Sequence, residues 1–295
     1  MLYIQKGAKL LKLWHYLGCQ AQFLIALCNF TNRAIYVVRI SDNTKDMNFL
    51  NLAHRGLALE APENTLPSFA RALEMGATGI ELDVRMTSDE EVVVIHDHKI
   101  NRTSSGRGRI KHSTFNYLRK YDFGSWFHEE FKKAKIPTLQ EVFDAFPDAF
   151  IIVEVKARGM EKRLSEVLRG QTHRILVTSF FFSVLRNIQR ELPEARFGIN
   201  VGHTFEFKRK LRIAASMNLY SLHIEQRFLT EVIASAAVSQ GLRLVPWWKG
   251  TFYEERLREL IDFGISGVIS DFPARVHNVV QNPRFNPDVV PGVAI

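Results

Sequence analysis

The sequence predicts an α/β fold, a (β/α)8 TIM barrel carrying a small insertion after the strand that ends at His96. Three observations lead there. Short apolar runs alternate with amphipathic patterns from residue 50 onward, which is the signature of repeated βα units. Two histidines, an arginine and a carboxylate pair cluster at the ends or along one face of the first strands, more polar chemistry than a core absorbs without a purpose. The chain is 295 residues long, with 46% hydrophobic and 24% charged residues, and so holds one barrel of ordinary size with ample core.

Residues 1–46 form an N-terminal extension whose role the sequence leaves open. Leu17 to Phe30 is apolar but interrupted by Gln20 and Gln22, and falls short of the roughly 20 residues a membrane span requires. Leu17-Gly18-Cys19 faintly mimics a lipoprotein cleavage site, yet Lys12 and His15 sit where a leader needs an unbroken apolar stretch. Secretion, anchoring and membrane association are therefore disfavoured, and a cytoplasmic location is expected. Asn48-Phe49-Leu50 runs directly into the first strand, which makes Met47 an alternative start.

The barrel is expected over residues 47–280. Its strand candidates lie near 50–53, 78–84, 92–95, 150–155, 174–178, 195–199, 219–224, 242–247 and 267–270. Helical patterns fall near 65–75, 138–146, 160–169, 181–191, 205–215, 229–239 and 252–263. Nine strands are one more than a closed barrel of eight takes. The segment from Val84 to Val92 is too short for a crossover helix, so its two flanking strands are candidates for a hairpin. Which run stands outside the ring is left open. The insertion, 98–136, is polar and aromatic, with a turn cluster at Asn101 to Gly106 and aromatics at Phe123, Trp126, Phe127 and Phe131. An excursion of this length is expected as a lid or small subdomain over the site. Thr138 is placed to cap the helix that follows. The tail 281–295 lacks periodicity and is expected to wrap the surface or stay disordered.

The formal charge is +8, but six basic against two acidic residues in 1–46 account for half of it. No Lys/Arg run interleaved with aromatics marks a nucleic-acid stripe, so a small anionic molecule is the expected partner. The only cysteines, Cys19 and Cys28, lie in the extension at a spacing wrong for zinc.

Side chains alternate along a strand, so Glu81 and Asp83 share a face, as do Glu154 and Lys156. Two unscreened carboxylates about 4 Å apart repel by about 4 kcal/mol at an effective dielectric near 20. A divalent cation removes that conflict, and an all-oxygen set selects a hard ion, Mg²⁺ or Ca²⁺. The competing reading has these acids paired with Arg85 or Lys156. His54 and His96 each follow an apolar strand, and two imidazoles can serve as acid and base in one turnover. A lone histidine of this kind is commonly a core or capping residue, but here Arg55 and Asp97 follow directly. Arg55 offers a planar fork for a phosphate and Lys156 a point charge. Glu63 and Asn64 either cap the first helix or hold Arg55 from behind.

HRG, PENT, ELDV, VVVIHD with RTSSG beyond it, IPTLQEV, VEVK, VTSF and GVISDFP stand in order and spacing over about residues 50–275. In this the chain resembles the glycerophosphodiester phosphodiesterase family. The resemblance implies a TIM barrel and hydrolysis of glycerophosphodiesters to an alcohol and sn-glycerol 3-phosphate. It also implies a divalent metal on Glu81, Asp83 and Glu154, acid–base roles for His54 and His96, and phosphate contacts from Arg55 and Lys156. The family's usual Trp-Thr-Val-Asn run is replaced here by Trp247-Trp248-Lys249-Gly250. Trp247 keeps the aromatic wall for the glycerol carbons, while Trp248 bears on pocket shape. The alternatives are a phospholipase D-like or C-like activity on intact lipid, and a non-catalytic phosphodiester binder.

Overall fold

The computed structural model describes residues 10–17, 20–28, 35–40 and 49–281. The chain divides into two compact units that part between Asn48 and Phe49. In the first, β1 (Leu10–Leu17), β2 (Gln20–Cys28) and β3 (Ile35–Ile40) form an antiparallel sheet in the order β1-β2-β3. No strand was expected there, because short apolar runs do not by themselves announce their secondary structure. The cleavage-like Gly18-Cys19, the start at Met47 and the tail beyond Gln281 lie outside the described residues.

In the second unit, strand and helix alternate. The chain runs β4 (Leu50–His54), α1 (Leu66–Glu74), β5 (Gly79–Met86), β6 (Val92–Val94), α2 (Phe115–Leu118), α3 (Leu139–Ala145), β7 (Phe150–Val155), α4 (Glu161–Leu168) and β8 (Ile175–Ser179). It continues through α5 (Phe182–Glu191), β9 (Arg196–Val201), α6 (Thr204–Ser216), β10 (Ser221–Ile224), α7 (Glu231–Val238), β11 (Arg243–Leu244), α8 (Glu254–Asp262), β12 (Gly267–Ser270) and α9 (Pro273–Gln281). Eight strands pair in parallel in the order β11-β10-β9-β8-β7-β5-β4-β12. The ring closes where Ser266 N–H donates to the Leu244 carbonyl at 2.8 Å and Trp248 N–H to the Ile269 carbonyl at 2.7 Å. Strand β11 is shorter than its apolar run because Pro246 has no N–H to give the ladder. The ninth strand is β6, which pairs antiparallel with β5, Val84 opposite Val94. The insertion therefore leaves from a hairpin strand and not from a strand of the ring. Helix α9 was not anticipated, its pattern merging with the polar tail.

The period of two decides where the site sits. On β5, Ile80, Leu82 and Val84 join the main core, and so do Ile151, Val153 and Val155 on β7. The alternate residues face the barrel axis. Low in the barrel, Leu52, Ile152, Leu176, Val245 and Ile269 make an apolar plug. Glu81, Asp83 and Glu154 are buried on this inward face. The insertion has its own small core of Ile100, Ile110, Leu118, Phe123 and Ile136, packed with Val93 and Ile95. Thr138 closes the insertion as the N-cap of α3 in a capping box with Glu141. Among the described residues no helix is long and apolar enough to cross a membrane.

Candidate active site

Strand β4 ends on His54, and the next two residues take positive φ, Arg55 at 57° and Gly56 at 84°. A Cβ on Gly56 would lie 2.3 Å from Ser68 Oγ and 2.7 Å from its backbone carbon, so the chain turns there only as glycine. The turn sets the Arg55 N–H over Glu81, donating to its carbonyl at 2.9 Å and to its Oε2 at 3.1 Å. The side chain of Arg55 reaches Glu63 Oε1 at 3.0 Å and Asp83 Oδ2 at 3.3 Å. Glu63 holds Arg55, and Asn64 Nδ2 donates to Asp83 Oδ2 at 2.8 Å; the helix cap itself is Thr65.

Glu81, Asp83 and Glu154 each present an oxygen within 4.8 Å of the others. Burial, with the charge of Asp83 beside it, pushes the Glu81 carboxyl up to about 8. Burial raises Glu154 as well. Burial acts the same way on Asp83, but Lys156 and Arg55 outweigh it and hold that group well below the usual carboxylate range. Lys156 Nζ lies 2.6 Å from Glu154 Oε1 and 3.0 Å from Asp83 Oδ1. The ion-pair reading is thus realised at Lys156, whereas Arg85 Nε donates to the His96 carbonyl at 2.7 Å. Lys156 and Arg55 pair with Asp83 and Glu154, while Glu81 is met by the Arg55 N–H and makes no ion pair. A buried all-oxygen set with a carboxylate driven toward protonation fits a hard divalent ion.

The two histidines face the same cavity, about 340 Å³, as Glu81, Glu154, Lys156 and Trp247. His54 Nδ1 bonds Asp271 Oδ1 at 2.8 Å, and His96 Nδ1 bonds Asp97 Oδ1 at 2.7 Å. Burial works to lower the His54 imidazole, but the bond to Asp271 and the charge of Glu81 leave its pKa raised. At His96 burial prevails and the pKa is lowered. Asp97 is held down to about 2 by the hydrogen bond from Arg102, with a further one from His96. Arg102 also grips Glu63 through two nitrogens, at 2.6 and 2.9 Å, tying the insertion to the loop that holds Arg55.

Trp247 lines the cavity and meets Phe180 edge-on, ring centres 5.9 Å apart. Trp248 is 2% exposed, packs on Phe252 at 4.7 Å and donates Nε1–H to the Thr251 carbonyl. Its bulk is taken up by the core rather than filling the mouth. The sequence reading gave no role to Asp271, Arg102, Thr178, Asn200 or His223, yet all but Arg102 line the cavity. The signal was there for three of them: Thr178 in ILVTS, Asn200 in RFGINV and His223 in SLHI are polar residues on largely apolar strands.

Residues 54–275 match the Glycerophosphoryl diester phosphodiesterase family. The glycerophosphodiester phosphodiesterase of Caldanaerobacter subterraneus subsp. tengcongensis is 32% identical over 244 residues, 80% of this chain and 99% of that protein. Among solved structures, a phosphodiesterase of Oleispira antarctica in complex with the product sn-glycerol-3-phosphate superposes with a TM-score of 0.70. It is 28% identical and covers 78% of this chain and 96% of its own. The glycerophosphodiester phosphodiesterase of Agrobacterium tumefaciens gives a TM-score of 0.68 at 25% identity, covering 77% and 98%. On this extent of match, the chain belongs to the glycerophosphoryl diester phosphodiesterase family.

Proposed function

We propose that the protein is a divalent-metal-dependent phosphodiesterase that cleaves small glycerophosphodiesters to an alcohol and sn-glycerol 3-phosphate, with His54 and His96 exchanging the protons. The observation that carries this reading is a group of three buried acids, two of which (Glu81 and Glu154) line one cavity with two imidazoles, each imidazole held through Nδ1 by its own carboxylate. With Nδ1 engaged, Nε2 is the nitrogen left to act on substrate. The relatives named above support the substrate class.

Glu81, Asp83 and Glu154 are the residues that would hold Mg²⁺ or Ca²⁺. A bound ion there supplies positive charge for the phosphoryl oxygens. The Arg55 guanidinium, braced by Glu63, binds and orients the phosphate. Lys156, which lines the cavity beside Glu154, contributes a second cation for the phosphate. One histidine takes the proton of the nucleophile, water or the adjacent glycerol hydroxyl, and the other protonates the departing alcohol oxygen. Trp247 and Phe180 give the glycerol carbons an apolar wall. Of the insertion's four aromatics that could have formed a lipid-seeking rim, Phe123 is spent in the insertion's core, whereas Trp126 is exposed.

The test is release of glycerol 3-phosphate from glycerophosphocholine. EDTA should abolish it and Mg²⁺ or Ca²⁺ restore it. His54→Ala and His96→Ala should each lose about 10²–10⁴-fold in turnover while remaining folded. Indifference to chelation, or full activity in either variant, removes that part of the reading.

A further inference from the structure

A second cavity, about 470 Å³, opens beside the catalytic one, between the β5–β6 hairpin, the loop after β7 and the insertion. Its charged lining is Arg85, Lys111 and Arg158, against Glu90 as the only carboxylate, with His98 at the edge. None of the three cations makes an ion pair among the described residues, although the charges of Asp83, Asp97 and Glu154 act on Arg85 from the catalytic side. Arg85 uses Nε on the His96 carbonyl and has its terminal nitrogens to spare. Arg158 lies over the Phe181 ring at 4.5 Å, a contact that fixes the guanidinium without neutralising it. Three cations left unpaired around one concavity, with a volume typical of small-molecule sites, describe a receptor for an anion.

Its position says which anion. Arg85 touches the backbone of His96, and Ala157 and Arg158 directly follow Lys156, so the two cavities share a wall. The aromatic wall of the catalytic cavity, Phe180 and Trp247, comes from the β8 and β11 ends. A diester with its glycerol against that wall would carry its other alcohol on the His96 side of the site, the side on which Arg85 lies. The geometry points to a head-group site for a second phosphate: the preferred substrates are glycerophosphodiesters whose alcohol is a phosphorylated polyol. This inference rests on the phosphodiesterase reading above.

The experiment uses the full chain and compares kcat/KM for glycerophosphoinositol 4-phosphate with that for glycerophosphoinositol, which differ only in the second phosphate. The wild type should favour the phosphorylated head by about tenfold or more, and the ratio should collapse in Lys111→Ala/Arg158→Ala and invert in Lys111→Glu/Arg158→Glu. Both positions are exposed, so the variants should fold. A ratio near one in the wild type, or one that the variants leave unchanged, overturns the inference. Calorimetric binding of inositol 4-phosphate, lost in the same variants, reads the site without turnover, so absence of hydrolysis would sink the phosphodiesterase reading and leave the cavity tested. Inorganic phosphate bound by the wild type and lost in the variants, with the substrate ratio unmoved, would make the cavity a free-anion site and overturn the head-group assignment.

Discussion

At the scale of single residues, the site is a set of crowded acids that burial and neighbouring cations hold in different protonation states. Glu81, at about 8, holds a proton at neutral pH, while Asp83 does not. Binding Mg²⁺ or Ca²⁺ at pH 7 should therefore expel close to one proton per site. Calorimetry in two buffers of different ionisation enthalpy measures this directly, and a buffer-independent heat would mean that Glu81 does not give up a proton when the ion binds. Asp271 is the second residue to test. Its carboxylate both aims the His54 ring and raises its pKa. In Asp271→Asn the anion is gone, so the His54 limb of the kcat/KM profile should move to lower pH. Turnover should fall by about 10²-fold or more, as when the orienting acid of a histidine is removed. A drop in turnover with the limb unmoved would assign Asp271 a packing role only.

At the scale of elements, two local devices place these residues. The turn after β4 needs glycine at position 56, where φ is 84° and Ser68 occupies the Cβ space. Gly56→Ala should cost at least about 2 kcal/mol, combining left-handed strain with overpacking. Urea denaturation monitors it, and a neutral result would mean the turn can re-form elsewhere. The second device is the β5–β6 hairpin. It carries His96 back over the end of β5, where the Ile95 N–H donates to the Asp83 carbonyl at 2.8 Å. Without that doubling back, His96 would stand one strand away from the acids. The apolar runs of β5 and β6 were legible in the sequence. The antiparallel pairing was legible only as an option, because it depends on the five-residue connection 87–91 and on what lies beside it.

At the scale of the whole molecule, a ring of eight strands brings polar residues from β4, β5, β7, β8, β9, β10 and the loop after β12 into one cavity. One of them sets acid stability. Burial drives the His223 imidazole down from 6.5 to about 4, so it stays neutral in the folded barrel where the unfolded chain would already be protonated. The folded state is unaffected above pH 6.5 and loses stability as pH falls from there toward 4. By pH 4.5 the loss at this site should approach roughly 3 kcal/mol. Urea midpoints at pH 7 and 4.5 should differ by that much more in the wild type than in His223→Asn. Equal differences would mean that His223 finds a proton partner inside the barrel.

The chain by itself determined the repeat of strand and helix, since side-chain periods of two and 3.6 are local properties written residue by residue. It also determined which faces of β5 and β7 carry Glu81, Asp83 and Glu154, for the same reason. The cap at Thr138 was readable too, because its partner Glu141 is three residues away. Only the tertiary structure decided that β6 lies outside the ring, that Asp271 reaches His54 across 217 residues, and that Arg102 ties the insertion to Glu63 across 39. It also decided that Trp248, though it borders the cavity, packs its ring into the core, while Trp247 meets Phe180 on the cavity wall. These contacts are made when the barrel closes, and closure depends on every strand at once, which no local window of sequence contains.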